Sequence, residues 1–156
     1  MSVNLRIIEG DLASAEVIAL LGEHLKEMAD YSPAESIHAL DVQGLGANDI
    51  TFWTALDGDD LCGCGALKEL DTRHGEIKSM RTADAHVGKG VGSAILRYII
   101  NEAEKRQFLR LSLETGSDDA FTPAFSLYEK FGFVYCEPFA NYREDPFSRF
   151  MTLELP

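Results

Sequence analysis

The hydrophobic pattern of the first forty residues predicts one strand followed by two helices. Apolar and polar side chains alternate over residues 3–7, which is typical of a half-buried strand. Apolar residues then recur at helical spacing as far as Tyr31-Ser32-Pro33, and Asp11 is expected to cap this helix. Because Ser32-Pro33-Ala34-Glu35 has the pattern of a capping box, a second, short helix is expected to run to about Leu40.

The stretch from residue 50 to residue 82 predicts three consecutive strands. Ile50–Leu56 and Leu61–Lys68 have the composition of strands, and Asp57-Gly58 between them is typical of a hairpin turn. A second turn, over residues 71–75, leads into a third strand, Glu76–Thr82. These strands therefore follow one another with only short connections.

Helices and strands alternate in the second half of the chain. An apolar stripe predicts a helix from Gly90 to about Lys105, which leads into a strand over Leu109–Thr115. Thr122 is expected to cap the next helix, with Pro123 at its first position. Phe131-Gly132 is expected to end that helix, because glycine suits a left-handed C-terminal cap.

The last two predicted strands are Phe133–Glu137 and Arg149–Leu155, around a loop over residues 138–148. The resulting order is β-α-α-β-β-β-α-β-α-β-β. A chain of 156 residues is long enough for one core and short for two domains. A single α+β domain with a mixed sheet is therefore expected.

The charge of the chain narrows the classes of partner. Its 26 Asp and Glu residues outweigh its 14 Lys and Arg residues and give a net charge of -12, which disfavours nucleic acid and anionic membranes. No window approaches the roughly 18 apolar residues of a membrane span. An acidic surface suits a cationic amine substrate, although acidity often serves only solubility. A cytoplasmic protein is expected.

The three cysteines predict neither a disulfide framework nor a metal site. Cys62 and Cys64 are expected on one face of a strand, and Cys136 is far away in sequence. A metal site needs about four ligands, and only His74 lies near enough in sequence to join the pair. Buried free thiols are the better interpretation, and no metal is expected.

Three glycines, Gly88, Gly90 and Gly92, lie between a predicted strand and a predicted helix, with Ser93 directly after them. Free N–H groups and the positive dipole end make a helix start suitable for an anion such as a pyrophosphate. Neither the P-loop nor the dinucleotide-binding spacing fits these glycines. Taken alone, such a run is better interpreted as a turn that merely reverses the chain between a strand and a helix.

Four stretches, in this order and spacing, resemble the GNAT acetyltransferase superfamily: Glu76–Thr82, Val87–Gly92, Leu109–Thr115 and Ala124–Phe133. The specific motifs are the glycine loop (residues 87–92) and Ala-x-x-Leu-Tyr-Glu-Lys-x-Gly-Phe. The resemblance implies one N-acetyltransferase domain over residues 1–156. It also implies about seven strands and four helices, with the sheet splayed between the fourth and fifth strands.

The resemblance implies that acetyl-CoA is the co-substrate and that backbone N–H groups hold its pyrophosphate. The residues expected to do so are Val87, Gly88, Lys89, Gly90, Val91, Gly92 and Ser93. Met80, Arg81 and Thr82 are expected along the pantetheine arm, and the Met80 amide is expected to polarise the thioester carbonyl. Removal of such a donor typically costs about 10²–10³ in rate.

Two positions depart from the family pattern. Val87 stands where the family has Gln or Arg, and Phe121 stands where an asparagine is common. Each change removes a side-chain contact. Lys89 offers a nearby cation in compensation, and the backbone must do most of the holding.

The resemblance also implies catalytic groups. Tyr128 is the motif tyrosine, expected near the CoA sulfur as general acid or hydrogen-bond donor, although its helical spacing also fits a core aromatic. Glu76 is the first candidate for the general base that deprotonates the amine, and a solvated charge at a strand start is an equal alternative. Glu114 and His74 are the reserve bases.

The resemblance places the acceptor pocket between the early helices and the late loop. The candidate residues are Tyr31, Ser36, His38, Phe139, Tyr142 and Asp145. The expected function is direct transfer of an acetyl group to an amine of a small molecule, amino acid or peptide. The alternative is a non-catalytic acyl-CoA-binding regulatory domain. Homodimers are common in the family, but no stretch identifies an interface.

Overall fold

The computed structural model describes residues 4–156. They form one seven-stranded mixed sheet with helices, and the strand order is β1-β2-β3-β4-β5-β7-β6. The strands are β1 (Arg6–Glu9), β2 (Ile50–Asp57), β3 (Asp60–Glu69), β4 (His74–Thr82), β5 (Arg110–Gly116), β6 (Val134–Tyr135) and β7 (Ser148–Glu154). The helices are α1 (Ala15–Tyr31), α2 (Val42–Leu45), α3 (Val91–Lys105) and α4 (Thr122–Lys130). The predicted α+β class, seven strands and four helices are confirmed.

The first strand and the start of the first helix differ from their predicted structures. The first strand is Arg6–Glu9, and Val3 of its predicted range lies outside the described residues. Ser14 precedes α1, so the prediction that Asp11 caps this helix is wrong. Instead, the Asp11 carboxylate accepts the Ala13 N–H (2.9 Å) and closes a turn before the helix.

The prediction of a second helix running to about Leu40 is also wrong. Only a single 3₁₀ turn forms, Ala34–Ser36, and Ile37 is already extended. Ser36 is buried and its hydroxyl donates to Asp145, a contact distant in sequence that a continuous helix would not provide. The short α2 follows instead, with the carboxylate of Asp41 accepting the Gly44 N–H (2.8 Å).

The predicted hairpin forms with one irregularity. β2 and β3 pair antiparallel around Gly58, which has a φ of 61°. A bulge between the pairs Ala55–Gly63 and Leu56–Leu61 reverses the alternation of β3. Cys62 therefore packs in the cluster with α3, and Cys64 packs in the cluster with α1, so they do not share a face.

The sheet opens between β4 and β5. These two strands are the parallel pair, and they pair only over His74–Ile77 and Arg110–Leu113. Beyond these ranges β4 continues to Thr82 and β5 to Gly116 without pairing with each other. The predicted splay between the fourth and fifth strands is confirmed, and it leaves backbone groups free to pair with a ligand.

Candidate active site

A cavity of about 400 Å³ lies at the splay of the sheet. Of the residues predicted to bind the coenzyme or to be the first-choice catalytic groups, seven line it: Glu76, Met80, Arg81, Thr82, Val87, Gly92 and Tyr128. The other predicted loop residues, Gly88, Lys89, Gly90, Val91 and Ser93, lie beside its end but do not line it. One space therefore reaches from the glycine loop to the candidate catalytic side chains.

The glycine loop turns the chain from β4 into α3. Gly88 and Gly90 have φ values of 83° and 80°, a left-handed conformation that favours glycine. The first backbone hydrogen bond of α3 joins the Ala94 N–H to the Gly90 carbonyl (3.0 Å), so the amides of residues 91–93 precede it. Val87 is 66% exposed. The turn therefore presents free amides at a helix start.

Met80 lies at a bulge in β4. Lys78 pairs with Ala66 and Arg81 with Cys64, so two residues of β4 face one residue of β3 there. Ser79, the other unpaired residue, has a φ of 56°. Because β5 has already diverged from β4, Met80 has no paired residue on either neighbouring strand, β3 or β5. This is the backbone position that the sequence assigned to the thioester carbonyl.

The guanidinium of Arg81 points toward α1. It makes a hydrogen-bonded ion pair with Glu27, and Asp84 lies 3.6 Å from its other nitrogen. His24, also on α1, is buried beside them, and burial, reinforced by the Arg81 charge, lowers its pKa to about 4. His24 is therefore neutral at physiological pH. Its position in the apolar stripe of α1 gave no sign that it lines the cavity.

Tyr128 belongs to both the core and the cavity. The side chain is only 6% exposed and its ring meets Phe133 edge-on, with the centroids 5.7 Å apart. Burial raises the pKa of the phenol well above its usual range. Within residues 4–156 its hydroxyl makes no hydrogen bond. The core and catalytic interpretations are therefore compatible, because the hydroxyl stays protonated and free to donate.

Glu76 is buried, with 3% of its surface exposed, and its Oε2 atom already has two partners. The Tyr142 hydroxyl donates to it at 2.5 Å, and the Lys78 ammonium donates at 3.2 Å. Lys78 also donates to the Tyr142 oxygen at 3.0 Å. The alternative of a solvated charge at a strand start is wrong for Glu76. Lys78 was missed, although its position two residues further on the strand places it on the same face.

Glu114 lies one residue beyond the last position of β5 that pairs with β4, and it lines the cavity. Burial raises its pKa to about 7, and the Glu76 and Asp145 carboxylates act in the same direction. Lys78 and the Ser148 hydroxyl oppose this shift. Glu114 is thus a carboxyl group that gains and loses its proton near neutral pH.

His74, the other reserve base, lies outside the cavity. It occupies the start of β4, where its Nε2 lies 2.6 Å from the Ser112 hydroxyl. Burial lowers its pKa. Its position suits a structural hydrogen bond between β4 and β5.

The acceptor candidates lie on two segments that meet. The early segment (residues 32–41) contributes Ser36 and His38, which line the cavity. The late loop (residues 136–147) contributes Phe139, Tyr142 and Asp145 behind them. Tyr31 instead packs edge-on against Phe121, whose ring occupies the space that a Cβ on Gly116 would fill.

The structure also bears on the cysteines, on metal-ligating groups and on membrane spans, within the described residues. Cys62 and Cys64 are buried free thiols, and burial raises the pKa of Cys64 to about 12. No group of three or more His, Cys, Asp or Glu side chains in residues 4–156 is arranged to hold a metal ion. None of the helices in that range is long and apolar enough to cross a bilayer.

Comparison with known proteins gives the family. A model of the acetyltransferase (GNAT) family matches residues 19–133. The uncharacterized N-acetyltransferase YsnE of Bacillus subtilis (strain 168) is 61% identical over 145 residues, which are 93% of this chain and 96% of that protein. An IAA acetyltransferase of Azospirillum brasilense is 38% identical over 141 residues, covering 89% of this chain and 90% of that protein.

A solved structure agrees with the fold. The GNAT family acetyltransferase from Elizabethkingia anophelis, solved with acetyl-CoA bound, superposes with a TM-score of 0.69 at 19% identity. The match covers 97% of this chain and 99% of that one. The family model spans most of the chain, and the relatives align along nearly its whole length. The chain therefore belongs to the GNAT acetyltransferase family.

Proposed function

We propose that the chain transfers the acetyl group of acetyl-CoA to an amine by direct attack in a ternary complex. The observation that carries this proposal is the single cavity that joins the glycine loop, the splay and Glu114. A thioester in the splay would have Met80, which has no paired residue on a neighbouring strand, on one side and Tyr128 within the same cavity. Every step of the reaction then has a candidate group.

The coenzyme has a matching surface. Backbone amides at the start of α3 suit its pyrophosphate, because they are free and lie at the positive end of the helix dipole. Lys89 is exposed and lies beside the half-buried His86, with 3.5 Å between Nζ and Nδ1. This placement supports Lys89 as the cation that replaces the side chain missing at Val87. The pantetheine arm would pair with the open edge of β4 over Met80, Arg81 and Thr82.

Glu114 is the general base in this proposal, and Glu76 is not. A base must be able to take up a proton, and the pKa of about 7 at Glu114 suits an enzyme working near neutral pH. Glu76 Oε2 is already engaged by Tyr142 and Lys78. Glu114 also has no ion-pair partner among the described residues. It is therefore the better candidate to meet an ammonium group.

The chemical step follows from these positions. The ammonium group of the acceptor gives a proton to Glu114, and the neutral nitrogen attacks the thioester carbonyl carbon. The Met80 amide stabilises the negative charge on the carbonyl oxygen. The nitrogen of the tetrahedral intermediate, which now carries a positive charge, loses its second proton as the carbon–sulfur bond breaks. Tyr128 gives its proton to the departing thiolate and takes up the proton lost by the nitrogen, so the phenol is restored. Glu114 then returns its proton to solvent. The products are an acetylated amine and CoA.

The charges around the cavity support a cationic acceptor. Glu27, Asp84, Glu76 and Glu114 line it, whereas its basic residues are Lys78 and Arg81. Both basic side chains are held in ion pairs. An incoming ammonium would restore a partner to Glu114 and stabilise its charged form.

The test is release of free thiol from acetyl-CoA by the purified protein with a panel of amines, amino acids and peptides. IAA is assayed separately from the amine panel, because the 38% identical relative is named for it. Release that depends on an amine, with an acetylated product identified by mass, supports the proposal. Tight binding of acetyl-CoA without stimulated release would instead favour the non-catalytic domain.

We place this activity in the reducing cytoplasm. The support is the absence of any disulfide among the described residues, with Cys62, Cys64 and Cys136 all free.

A further inference from the structure

The early segment and the late loop are joined to each other beside the acceptor end of the cavity. The Ser36 hydroxyl donates to Asp145 Oδ2 at 2.5 Å. The rings of His38 and Tyr142 meet edge-to-face, with centroids 4.9 Å apart and an interplanar angle of 83°. Two separate contacts therefore join the early segment, which lines this end of the cavity, to the late loop behind it.

The late loop is also fixed to the sheet below. Tyr142 donates its hydroxyl proton to Glu76 on β4, and Lys78 donates to the same hydroxyl. The Tyr142 ring packs against Phe139 and Phe150, with centroids 5.1 and 5.5 Å away. The loop is thus held at its base by Tyr142 and at its outer side by Asp145.

The bridge remains charged over the working pH range. The Ser36 hydroxyl, followed by the Phe147 amide, holds the pKa of Asp145 below its usual value. Ser36 itself is buried, so water has little access to compete for its hydrogen bond. Asp145 therefore stays ionised near neutral pH, and its contact with Ser36 does not change there.

The cavity is small for two substrates. Ligand pockets in proteins commonly measure about 300–1,000 Å³, and this one measures about 400 Å³ while it must also hold the acylated end of the coenzyme. A peptide would need a groove open between the early segment and the late loop. Here those segments are bridged, so the remaining space admits only a compact acceptor.

We infer that the acceptor is a small free amine, and that Tyr142 and the Ser36–Asp145 bridge determine this specificity by excluding amines carried on peptides and proteins. This inference rests on the proposed amine acetylation. Tyr142 acts as a positioning residue: it does not touch the reacting atoms but holds the late loop behind the early segment that lines the acceptor end. Its loss should therefore affect acceptor binding more than turnover.

The test compares matched acceptors and matched variants. The acceptors are the best small amine of the panel and a terminally blocked peptide whose single amine is a lysine side chain. The variants are Tyr142→Phe and Ser36→Ala, with Tyr135→Phe as the control because Tyr135 lies exposed on β6, outside the cavity. Thermal melting of each variant shows whether it folds, and Ser36→Ala serves if Tyr142→Phe does not.

The wild type should prefer the small amine by at least about a hundred-fold in kcat/KM. In Tyr142→Phe the KM for the small amine should rise roughly ten-fold, the effect of one hydrogen bond to a charged group, while kcat changes little. The ratio of kcat/KM for the small amine to kcat/KM for the peptide should fall in both variants and stay unchanged in the control.

A wild type that acetylates the peptide as well as the small amine would overturn the inference while leaving the proposed function intact. A Tyr142→Phe variant with lower kcat and unchanged KM would also overturn it. If neither acceptor stimulates thiol release, the proposed function fails and this inference fails with it.

Discussion

The Tyr142 hydroxyl donates a hydrogen bond of 2.5 Å to Glu76 Oε2, although the two residues are 66 positions apart in sequence. This contact joins the late loop to β4 and engages the carboxylate that the sequence favoured as the base. Glu114, on the neighbouring strand, has a pKa of about 7 and no ion-pair partner in residues 4–156. We therefore assign different roles to the two carboxylates of the cavity: Glu76 holds the loop, and Glu114 is the proposed proton acceptor.

Glu76→Gln tests this division of roles. Glutamine can still accept the Tyr142 hydrogen bond, so kcat should fall less than roughly ten-fold, far below the about 10²–10⁴ expected for loss of a general base. Because the Glu76 charge raises the pKa of Glu114, its removal should shift the midpoint of the kcat/KM pH profile to lower pH. A loss of turnover as large as that of Glu114→Gln would make Glu76 the base.

Tyr128→Phe tests the proton donor. The phenylalanine ring keeps the core packing but cannot protonate the thiolate, so kcat should fall about 10²-fold, while the Kd for acetyl-CoA changes little. Tyr98→Phe is the matched control, because Tyr98 packs on Trp53 away from the cavity. Equal turnover in the two variants would remove Tyr128 from the mechanism.

Gly90→Ala tests the glycine loop. Gly90 has a φ of 80°, where alanine is strained by about 1–2 kcal/mol, so the loop should distort and the Kd for acetyl-CoA should rise. Gly22→Ala in α1 is the control, since its added methyl group meets open space and should stabilise the fold by about 0.5–1 kcal/mol. Unchanged coenzyme binding in Gly90→Ala, measured by calorimetry, would contradict the role of this turn.

The loop and the motif tyrosine could be predicted from sequence because each depends on neighbouring residues. The alternation of glycines before an apolar stripe predicts a turn into a helix whatever the rest of the chain does. Tyr128 lies on the buried stripe of α4, and its motif identified it among several aromatic residues. The splay followed from the family resemblance, and the strand pairing of β4 with β5 confirmed it.

The acceptor end could not be predicted in this way, because its contacts are distant in sequence. Ser36 meets Asp145 across 109 residues, and this contact replaces the helix that the local pattern favoured. The bulge at Cys62 likewise depends on pairing with β2. The pKa of Glu114 is set by burial and by charges from β4 and the late loop, which a strand pattern does not reveal.

The stability of Glu114→Gln gives a prediction independent of activity. The pKa of Glu114 is raised from 4.5 to about 7 by folding, so its contribution to stability is complete below pH 4.5 and is lost as the pH rises through 7. The variant should therefore be more stable than the wild type at pH 8, by on the order of 1–3 kcal/mol. The difference should vanish below pH 4.5. Denaturant unfolding at pH 4 and pH 8 checks both values, and a constant difference would contradict the raised pKa.

The pH dependence of kcat/KM in the wild type and in Glu114→Gln tests the central claim most directly. The wild type should gain activity as the pH rises through about 7, because Glu114 must be ionised to accept the proton of the amine. Glu114→Gln should lose about 10²–10⁴ in rate and retain only the dependence that comes from the amine itself. Glu129→Gln, an exposed change on α4, is the matched control. An inflection near pH 7 that persists in Glu114→Gln at wild-type rates would contradict the account.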